Sequence, residues 1–545
     1  MKARITVLAL AVLSVTVLAQ GPAPSIAVIR QSDLKTDLFF LGSDALQGRL
    51  TNTPGNLVAT EWVKSRFERL HLAPAVPGYV QHYNLMTMAL GPTNGLELNG
   101  APIAHGAGYY TQRFSATATA SGPVVFAGFG ITAPDLGYDD YKNDLVKGAI
   151  VLVIDHEPGE RDEKSRFDGI ITSDLSAGFR KAQAAQAHGA AGILFVSDVH
   201  NHPGGGTNLT ARGAWPETPS RVGTYTLETW MKSITIPAAQ ISADLAATLI
   251  KGTGRTLDDL AKASDTASGI APVSLPGATA KITASVTRTP VPDRNVLAMV
   301  EGSDPALKNE WVVVSAHVDH DGLNGTQIMN GADDDGSGTV GLLAIAEAYA
   351  AAAEAGHRPR RSVLFAAFNS EERGLLGAWA YTEQPTVPLK NIVAVLNMDM
   401  IGRNEEVPEP APVAPGARAG GGGRFNGLDP QTAESNANAL NIIGAVRSPD
   451  LKAAIDAANG AQKLQIRYRY DNNASQLMRR SDHWPFIQRG IPGVWVFTGL
   501  HPDYHTPQDR PERINYVKME KIARLVYQTS WNLANAASKP KLLSR

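Results

Sequence analysis

The sequence predicts an α/β protein with a doubly wound, mostly parallel mixed sheet flanked by helices, and with a smaller α/β domain inserted into it. Strand-like and helix-like segments alternate regularly from 311 to 498, which is typical of parallel sheets. Charged and imidazole side chains repeatedly follow the predicted strands. At 545 residues the chain is also too long for one ordinary core, so we expect at least two domains.

The composition is that of a globular protein and argues against several classes of function. Hydrophobic residues make up 43% of the chain, and the formal net charge is −2, with no basic stripe that would indicate nucleic-acid binding. The chain has no cysteine, which excludes disulfides, thiolate metal sites and a cysteine nucleophile. No G-x-S-x-G motif offers a serine nucleophile.

Residues 1–19 have the pattern of a secretory signal peptide. Lys2 and Arg4 precede an apolar run from Ile5 to Ala19, which is too short to span a membrane comfortably. An uncleaved N-terminal anchor is the alternative. We expect a secreted or periplasmic protein with no membrane span after cleavage.

The sequence divides the rest of the chain into three parts. Residues 20–116 begin with helical patterns and form the N-terminal part of the main domain. Short strands, Gly/Pro-rich loops and an Ala-rich helix make 117–265 the inserted domain. The main domain then occupies 266–545. A Pro/Gly-rich insertion at 404–425 cannot bury a core and is expected to be mobile, either over the site or as an idle surface loop.

The main domain carries the regular alternation. The predicted strands are Trp311–Ala316, Ser362–Phe368, Ile392–Met398, Leu464–Tyr470 and Gly493–Thr498. The predicted helices are Ser337–Ala353, Leu375–Thr382, Asp450–Asn459, Asp482–Gln488 and a long amphipathic helix from about Pro511 to Ala537.

Polar side chains end four of these strands. They are His317 and Asp319 after the first strand, Glu371 and Glu372 after the second, Asp399 after the third, and His501, Tyr504 and His505 after the last. Because ligands of open α/β sheets bind beyond the carboxyl ends of the strands, we expect these side chains to meet at one edge.

Three consecutive aspartates, 333–335, follow the first of these groups. Adjacent carboxylates repel one another unless a cation lies among them. Imidazole beside carboxylate suits zinc and similar metals rather than calcium or magnesium. A solvated acidic turn that caps a helix is the alternative for the aspartates taken alone.

Five motifs resemble those of the di-zinc aminopeptidase family, which also includes glutamate carboxypeptidases, the transferrin receptor and glutaminyl cyclases. They are H-V-D-H-D-G, N-G-A-D-D-D-G-S-G, N-S-E-E-R-G-L-L-G, L-N-M-D-M-I-G and Y-H-T, in the family's order. Upstream, L-G-S-D-A-L-Q-G-R-L-T is similar to the family's N-terminal segment. K-G-A-I-V-L-V and A-H-G-A-A-G-I-L-F are similar to a protease-associated domain. The resemblance implies the zinc exopeptidase fold.

The resemblance also implies ligands for two zinc ions. These are His317 and Asp399 for one ion, Glu372 and His505 for the other, and Asp334 as the bridging carboxylate. Asp333 and Asp335 are then neighbours of the bridging residue, and His320 and His483 lie close by motif without being ligands in the family. Cobalt or manganese could occupy the same ligands.

Further roles follow from the same resemblance. Glu371 would be the general base, and Asp319 would fix the ring of His317 through its second nitrogen. The peptide bond after Asp334 would be cis. Tyr504 is a candidate donor to the developing oxyanion, with a tyrosine packed at the rim as the alternative.

These residues predict a secreted zinc-dependent aminopeptidase that hydrolyses N-terminal residues from peptides with an activated water. A carboxypeptidase or glutaminyl cyclase on the same scaffold, or a non-catalytic receptor-like binding protein, is the alternative. A carboxypeptidase would need an arginine cluster, for which Arg479, Arg480 and Arg489 are near in sequence. The preferred N-terminal residue, the oligomeric state and the role of the inserted domain stay open.

Three other histidines give weaker evidence for a metal site. The motif H-E-P-G-E at 156–160 begins like a zinc-binding helix but lacks a second histidine, and Pro158 blocks the helix. His200 and His202 lie in a Gly-rich loop, and we interpret them as surface residues.

Overall fold

The structure is a computed structural model that describes residues 21–203, 215–216, 220–409, 425 and 427–543. The predicted signal peptide lies outside the described residues, and so does most of the predicted Pro/Gly-rich insertion. Within the described ranges, no helix is both long and apolar enough to cross a membrane.

The strands and helices are numbered in chain order. The strands are β1 (Ala73–Pro74), β2 (Val80–Leu90), β3 (Gly95–Leu98), β4 (Ala101–Ile103), β5 (Tyr109–Thr111), β6 (Ala118–Phe126), β7 (Thr132–Ala133), β8 (Tyr138–Asp139), β9 (Ile150–Ile154), β10 (Gly192–Val196), β11 (Thr226–Leu227), β12 (Ala238–Ile241), β13 (Val273–Ala284), β14 (Val286–Val300), β15 (Trp311–His317), β16 (Gly322–Asn324), β17 (Gln327–Met329), β18 (Ser362–Phe368), β19 (Ile392–Met398), β20 (Ala439–Ile443), β21 (Gln465–Arg467) and β22 (Gly493–Phe497). The helices are α1 (Gln31–Leu41), α2 (Pro54–Arg69), α3 (Gly178–Ala187), α4 (Glu228–Lys232), α5 (Ala243–Ile250), α6 (Leu257–Ser264), α7 (Gly338–Glu354), α8 (Leu376–Glu383), α9 (Pro449–Ala458), α10 (Trp484–Gln488) and α11 (Tyr516–Asn535).

The larger sheet has the strand order β11-β2-β14-β18-β15-β19-β22-β20-β21, with β1 paired to β14. Its centre, from β18 through β15 and β19 to β22, is parallel, as the alternation of strands and helices predicts. The long strands β2 and β14 pair antiparallel at one side, and β20 runs antiparallel to β22 at the other. The α/β class with mixed sheets is confirmed, and the parallel part is its central core.

Helices cover both faces of this sheet. Val312 and Val314 of β15 belong to the same buried cluster as α7 and α11, whereas Val313 packs with Tyr381 of α8 and Phe486 of α10. The central strands are therefore apolar on both faces, which is why they appear in the sequence as continuous hydrophobic runs.

The second sheet has the order β4-β3-β13-β6-β9-β10-β12-β5. It extends beyond the 117–265 predicted for the inserted domain, because β3 to β5 precede that range and β13 follows it. β13 alternates buried and exposed residues and pairs with β3 and β6, so the boundary depends on partners that are distant in sequence.

The inserted domain packs directly on the main domain. Arg447 Nη2 lies 2.6 Å from Asp168 Oδ1. Arg479 donates hydrogen bonds to the Thr172 hydroxyl and to the carbonyl oxygen of Ile171. These contacts bring the inserted domain close to the edge of the sheet where the polar side chains gather.

Candidate metal centre

The carboxyl ends of the parallel strands meet at one edge of the larger sheet, and the predicted polar residues gather there. His317 Nε2 lies 3.3 Å from Asp334 Oδ1, 3.7 Å from Asp399 Oδ1 and 3.8 Å from Glu371 Oε2. All four side chains are buried. One imidazole nitrogen thus faces three carboxylates.

A second group adjoins the first through Asp334. His505 Nε2 lies 2.9 Å from Asp334 Oδ2 and 3.2 Å from Glu372 Oε1. The other nitrogen of His505 lies 3.1 Å from Asp321 Oδ2, which fixes the orientation of the ring. The two oxygens of Asp334 therefore face the two imidazoles, one in each group.

His320 also reaches the second group. Its Nδ1 lies 2.8 Å from Glu372 Oε1 and 3.8 Å from Asp334 Oδ2, and the ring is fully buried. The resemblance does not make His320 a ligand, so this contact was not expected. The only indication of this contact in the sequence is the second histidine of the motif H-V-D-H.

The carboxylates of the two aspartates beside Asp334 accept hydrogen bonds from backbone amides. Asp335 accepts a hydrogen bond from the amide of His317 at 3.0 Å, and Asp333 accepts one from the amide of Gly402 at 2.6 Å. The carboxylate of Asp333 also lies 3.3 Å from Nε2 of His501, whereas that of Asp334 lies between His317 and His505. The peptide bond between Asp334 and Asp335 is cis, which confirms that expectation.

Asp319 supports both groups. Its backbone carbonyl oxygen lies 3.2 Å from His317 Nδ1, and its carboxylate lies 3.7 Å from the same nitrogen. The expected contact with the ring is therefore made mainly by the backbone carbonyl oxygen and not by the carboxylate. The carboxylate accepts hydrogen bonds from the backbone amides of Glu371 and Glu372, at 3.0 and 3.3 Å, and from the Thr51 hydroxyl. Asp319 thereby positions the loop that carries both glutamates.

Replacing Asp319 by asparagine is expected to lower activity and metal affinity by about 10- to 100-fold. An amide group has one acceptor oxygen, so the backbone amide of Glu371 or of Glu372 loses its partner, and the negative charge near His317 disappears. Parallel measurement of kcat/KM and of bound zinc checks this. Unchanged activity and unchanged zinc binding would refute the positioning role.

A buried arginine holds the loops beneath these groups. Arg49 is fully buried and donates hydrogen bonds to the carbonyl oxygens of Val318, Asn330 and Gly331. Gly48 before it has φ of +71°, and a Cβ there would lie 2.3 Å from a backbone oxygen. The segment that is similar to the family's N-terminal segment therefore braces the stretch of chain between β15 and the aspartates.

Two residues next to Asp399 were missed by the sequence analysis. The Ser481 hydroxyl donates a hydrogen bond to Asp399 Oδ2 at 2.5 Å. The carboxylate of Asp482 is fully buried, and no group in the described part of the chain forms a hydrogen bond with it. Both residues precede a helix instead of following a strand, so the rule about strand ends could not find them.

Burial and neighbouring charges separate the protonation behaviour of the two glutamates. Burial raises the pKa of Glu371 well above its usual range, against the opposing effect of His317. Burial would also raise the pKa of Glu372, but the charge of His505 holds it well below its usual range. Glu371 is therefore suited to exchanging a proton, and Glu372 to staying ionised.

A cavity of about 240 Å³ opens beside Glu371 and Asp334. Tyr504 lines it, and its ring packs against His505 with the centroids 3.9 Å apart. The Tyr504 hydroxyl accepts a hydrogen bond from Arg480 Nη2 at 3.2 Å. The apolar part of the wall consists of Leu375, Met400, Trp495 and Leu500.

Two of the three arginines that a carboxypeptidase would use, Arg479 and Arg480, line this cavity, and each of the three has another partner. Arg480 contacts the hydroxyl of Tyr504, and Arg479 binds Thr172 of the inserted domain. Arg489 donates a hydrogen bond to Glu383 Oε1 at 2.7 Å.

The donor set fits divalent metal ions of the zinc type. Nε2 of His317 and Nε2 of His505 are buried and lack a well-aligned hydrogen bond among the described residues, although carboxylate oxygens lie within 3.3 Å of both. Lone pairs that point at a shared centre, surrounded by carboxylates, are what a metal requires.

Comparisons with known proteins agree with this chemistry. Residues 295–530 match the family described as "Peptidase family M28", and residues 120–249 match the PA domain. A "Probable zinc metalloprotease" of Pyrenophora tritici-repentis is 29% identical over 276 residues, 46% of this chain and 54% of that protein. A "Probable leucine aminopeptidase" of Arthroderma otae is 27% identical over 238 residues, 43% of this chain and 56% of that protein.

The matched region therefore spans about half the length of these curated relatives. Among solved structures, the "Aminopeptidase from Aneurinibacillus sp. strain AM-1" has a TM-score of 0.45 and 16% identity, covering 95% of this chain and 97% of that one.

Proposed function

Residues 295–530 belong to peptidase family M28, with a PA domain inserted earlier in the chain, and from this premise we propose that the protein is an exported aminopeptidase. It would remove N-terminal residues from peptides with the help of two zinc ions. The observation that carries the proposal is the position of Asp334, whose two oxygens face His317 on one side and His505 on the other.

In this proposal His317 and Asp399 hold one ion, Glu372 and His505 hold the other, and Asp334 bridges them. Asp334 is chosen because its two oxygens lie 3.3 Å from His317 Nε2 and 2.9 Å from His505 Nε2, whereas Asp333 and Asp335 accept hydrogen bonds from backbone amides. His320 is close enough to Glu372 either to add a nitrogen ligand or to orient that carboxylate.

Zinc bound in this centre would supply a Lewis acid for the scissile carbonyl and would acidify a water molecule. Glu371 acts as the general base: its carboxylate lines the cavity, takes the proton from the attacking water and delivers it to the leaving amine. Burial, which raises its pKa, favours both halves of this transfer. Asp319 holds the backbone amide of Glu371 and so fixes the direction of its carboxylate.

Tyr504 is a donor to the developing oxyanion in this proposal. Its ring is packed against His505, and its hydroxyl oxygen accepts a hydrogen bond from Arg480 at the wall of the cavity. Four apolar side chains, those of Leu375, Met400, Trp495 and Leu500, line one part of the cavity beside it, which suits an uncharged side chain at the peptide's N-terminus. The surrounding carboxylates would hold the free α-amine.

An aminopeptidase is favoured over a carboxypeptidase because Arg489 is bound to Glu383, and Arg479, which lines the cavity, donates its hydrogen bonds to Ile171 and Thr172 of the inserted domain. Export rests on the signal-peptide pattern that begins with Lys2 and Arg4.

The proposal predicts hydrolysis of aminoacyl-anilides by the zinc-loaded protein, and no hydrolysis of the same compounds with an acetylated amine. A panel of apolar, acidic and basic residues would identify the preferred N-terminal residue, with apolar ones expected to be best. Treatment with a chelator should abolish the activity, and added zinc should restore it.

If the zinc-loaded protein hydrolyses none of the compounds in the panel, the proposed aminopeptidase activity is refuted. Peptides with a free C-terminus, N-terminal glutamine and binding without hydrolysis would then be tested in that order. Equal hydrolysis of the free and acetylated compounds would indicate an endopeptidase-like specificity instead.

A further inference from the structure

A second cluster of metal-ligating side chains lies in the inserted domain, away from the strand ends of the larger sheet. His156 Nδ1 lies 3.1 Å from Glu160 Oε2, and His202 Nε2 lies 2.5 Å from Glu160 Oε1. The two imidazole rings are stacked with centroids 4.0 Å apart and planes inclined by 26°. The Glu160 side chain is only 7% exposed. Two imidazoles and one nearly buried carboxylate thus converge.

This cluster joins two stretches that were interpreted separately. The motif at 156–160 was set aside because Pro158 blocks a helix, and the structure indeed has no helix there. His202 was interpreted as a surface residue, yet it reaches the carboxylate of Glu160. The two histidines follow the neighbouring parallel strands β9 and β10, beyond their carboxyl ends, where α/β sheets place their ligands.

The backbone around the cluster is held in place by buried groups. Asp198 is fully buried and accepts hydrogen bonds from the amides of His200 and Asn201, which fixes the loop that leads to His202. Lys181 is also buried and donates to the carbonyl oxygen of His156. The backbone of His156 has φ of +61°, which is uncommon outside glycine.

We propose that His156, Glu160 and His202 bind one divalent transition-metal cation of the zinc type. Two imidazole nitrogens and one carboxylate oxygen suit zinc, cobalt, nickel or copper better than calcium or magnesium. The His156 and His202 side chains are 39% and 45% exposed, so an ion can reach them and a solvent ligand can complete its coordination. Asp155 Oδ1, 3.8 Å from His156 Nε2, adds negative charge nearby.

A cation at this position would cross-link two loops of the inserted domain. One loop follows β9 and carries His156 and Glu160, and the other follows β10 and carries His202. Binding that requires the folded arrangement of both loops stabilises that arrangement. The cation therefore acts on the stability of the inserted domain and takes no part in hydrolysis, and the inference does not depend on the proposed peptidase activity.

The test compares the full chain with Glu160→Gln, His202→Ala and His200→Ala by equilibrium dialysis over a range of free zinc concentrations. Bound zinc is counted by elemental mass spectrometry. We expect the wild type to bind one zinc ion per chain more than Glu160→Gln and His202→Ala, and its melting temperature to rise further with zinc than theirs. His200→Ala is the matched control from the same loop and should behave as the wild type.

Equal zinc content in the wild type, Glu160→Gln and His202→Ala at every zinc concentration would overturn the inference, and the three side chains would then be held only by hydrogen bonds to Glu160. Loss of the extra ion in His200→Ala as well would also overturn the assignment to these residues. If Glu160→Gln fails to fold, His202→Ala still decides the question, because its side chain is partly exposed.

Discussion

Replacing Glu371 by glutamine is expected to lower kcat/KM by about 10²- to 10⁴-fold, the usual contribution of a general base. Glutamine preserves the size of the side chain and the backbone hydrogen bond to Asp319, but it cannot accept a proton from water. The zinc content should stay near that of the wild type, because His317, Asp334 and Asp399 remain. Steady-state kinetics on the best aminoacyl-anilide, with zinc counted on the same samples, measures both quantities.

Two variants make this result specific. Glu372→Gln alters the neighbouring carboxylate, which faces His505 and His320, so its loss of activity should come with a loss of zinc. Glu434→Gln changes an exposed glutamate far along the chain and should leave both quantities unchanged. Wild-type activity in Glu371→Gln would exclude this residue as the base, and a large loss of zinc would show that it is a ligand.

The centre of the fold could be predicted because its strands are buried on both faces. The strands at 362–368 and 392–398 have the bounds that the sequence predicts, since their apolar runs end abruptly at polar residues. Those polar residues are Asn369 and Asp399, and Asp399 belongs to the candidate site itself. In this part of the chain, the pattern that marks the end of a strand also marks the edge where the site lies.

The other strands of the two sheets were harder to predict, because their positions depend on pairing with strands that are distant in the sequence. The strands β2 and β13 are only partly buried, unlike the fully buried β18 and β19, and both pair antiparallel with neighbours that are distant in the chain. The predicted domain boundary therefore fell inside the second sheet.

Two residues of the sites were missed for the same reason, namely that their partners are distant in the sequence. Ser481 reaches Asp399, and His202 reaches Glu160, only after the chain has folded, and neither position has a local pattern that distinguishes it from a surface residue. A resemblance identifies residues that belong to a known motif. It gives no information on contacts that are particular to this chain.

Replacing Asp334 by alanine is expected to have the largest effect of any single change, because this carboxylate faces both imidazole groups. Both zinc ions should bind more weakly, and kcat/KM should fall by about 10³-fold or more, the equivalent of several kcal/mol of lost transition-state stabilisation. Treating the wild type with a chelator should reduce activity to the same level. Zinc content and kinetics, measured with and without added zinc, check the prediction.

The number of zinc ions that each variant loses distinguishes one shared centre from two independent sites. His505→Ala should weaken the ion held by Glu372, and Asp399→Ala the ion held by His317, whereas Asp334→Ala should weaken both, since its two oxygens lie 3.3 Å from His317 Nε2 and 2.9 Å from His505 Nε2. Alanine in place of the exposed Asp429 should change neither. If Asp334→Ala loses only one ion, the bridging role passes to another carboxylate. If added zinc restores full activity to Asp334→Ala, the shared carboxylate is not essential for hydrolysis, and the reaction requires only one of the two groups.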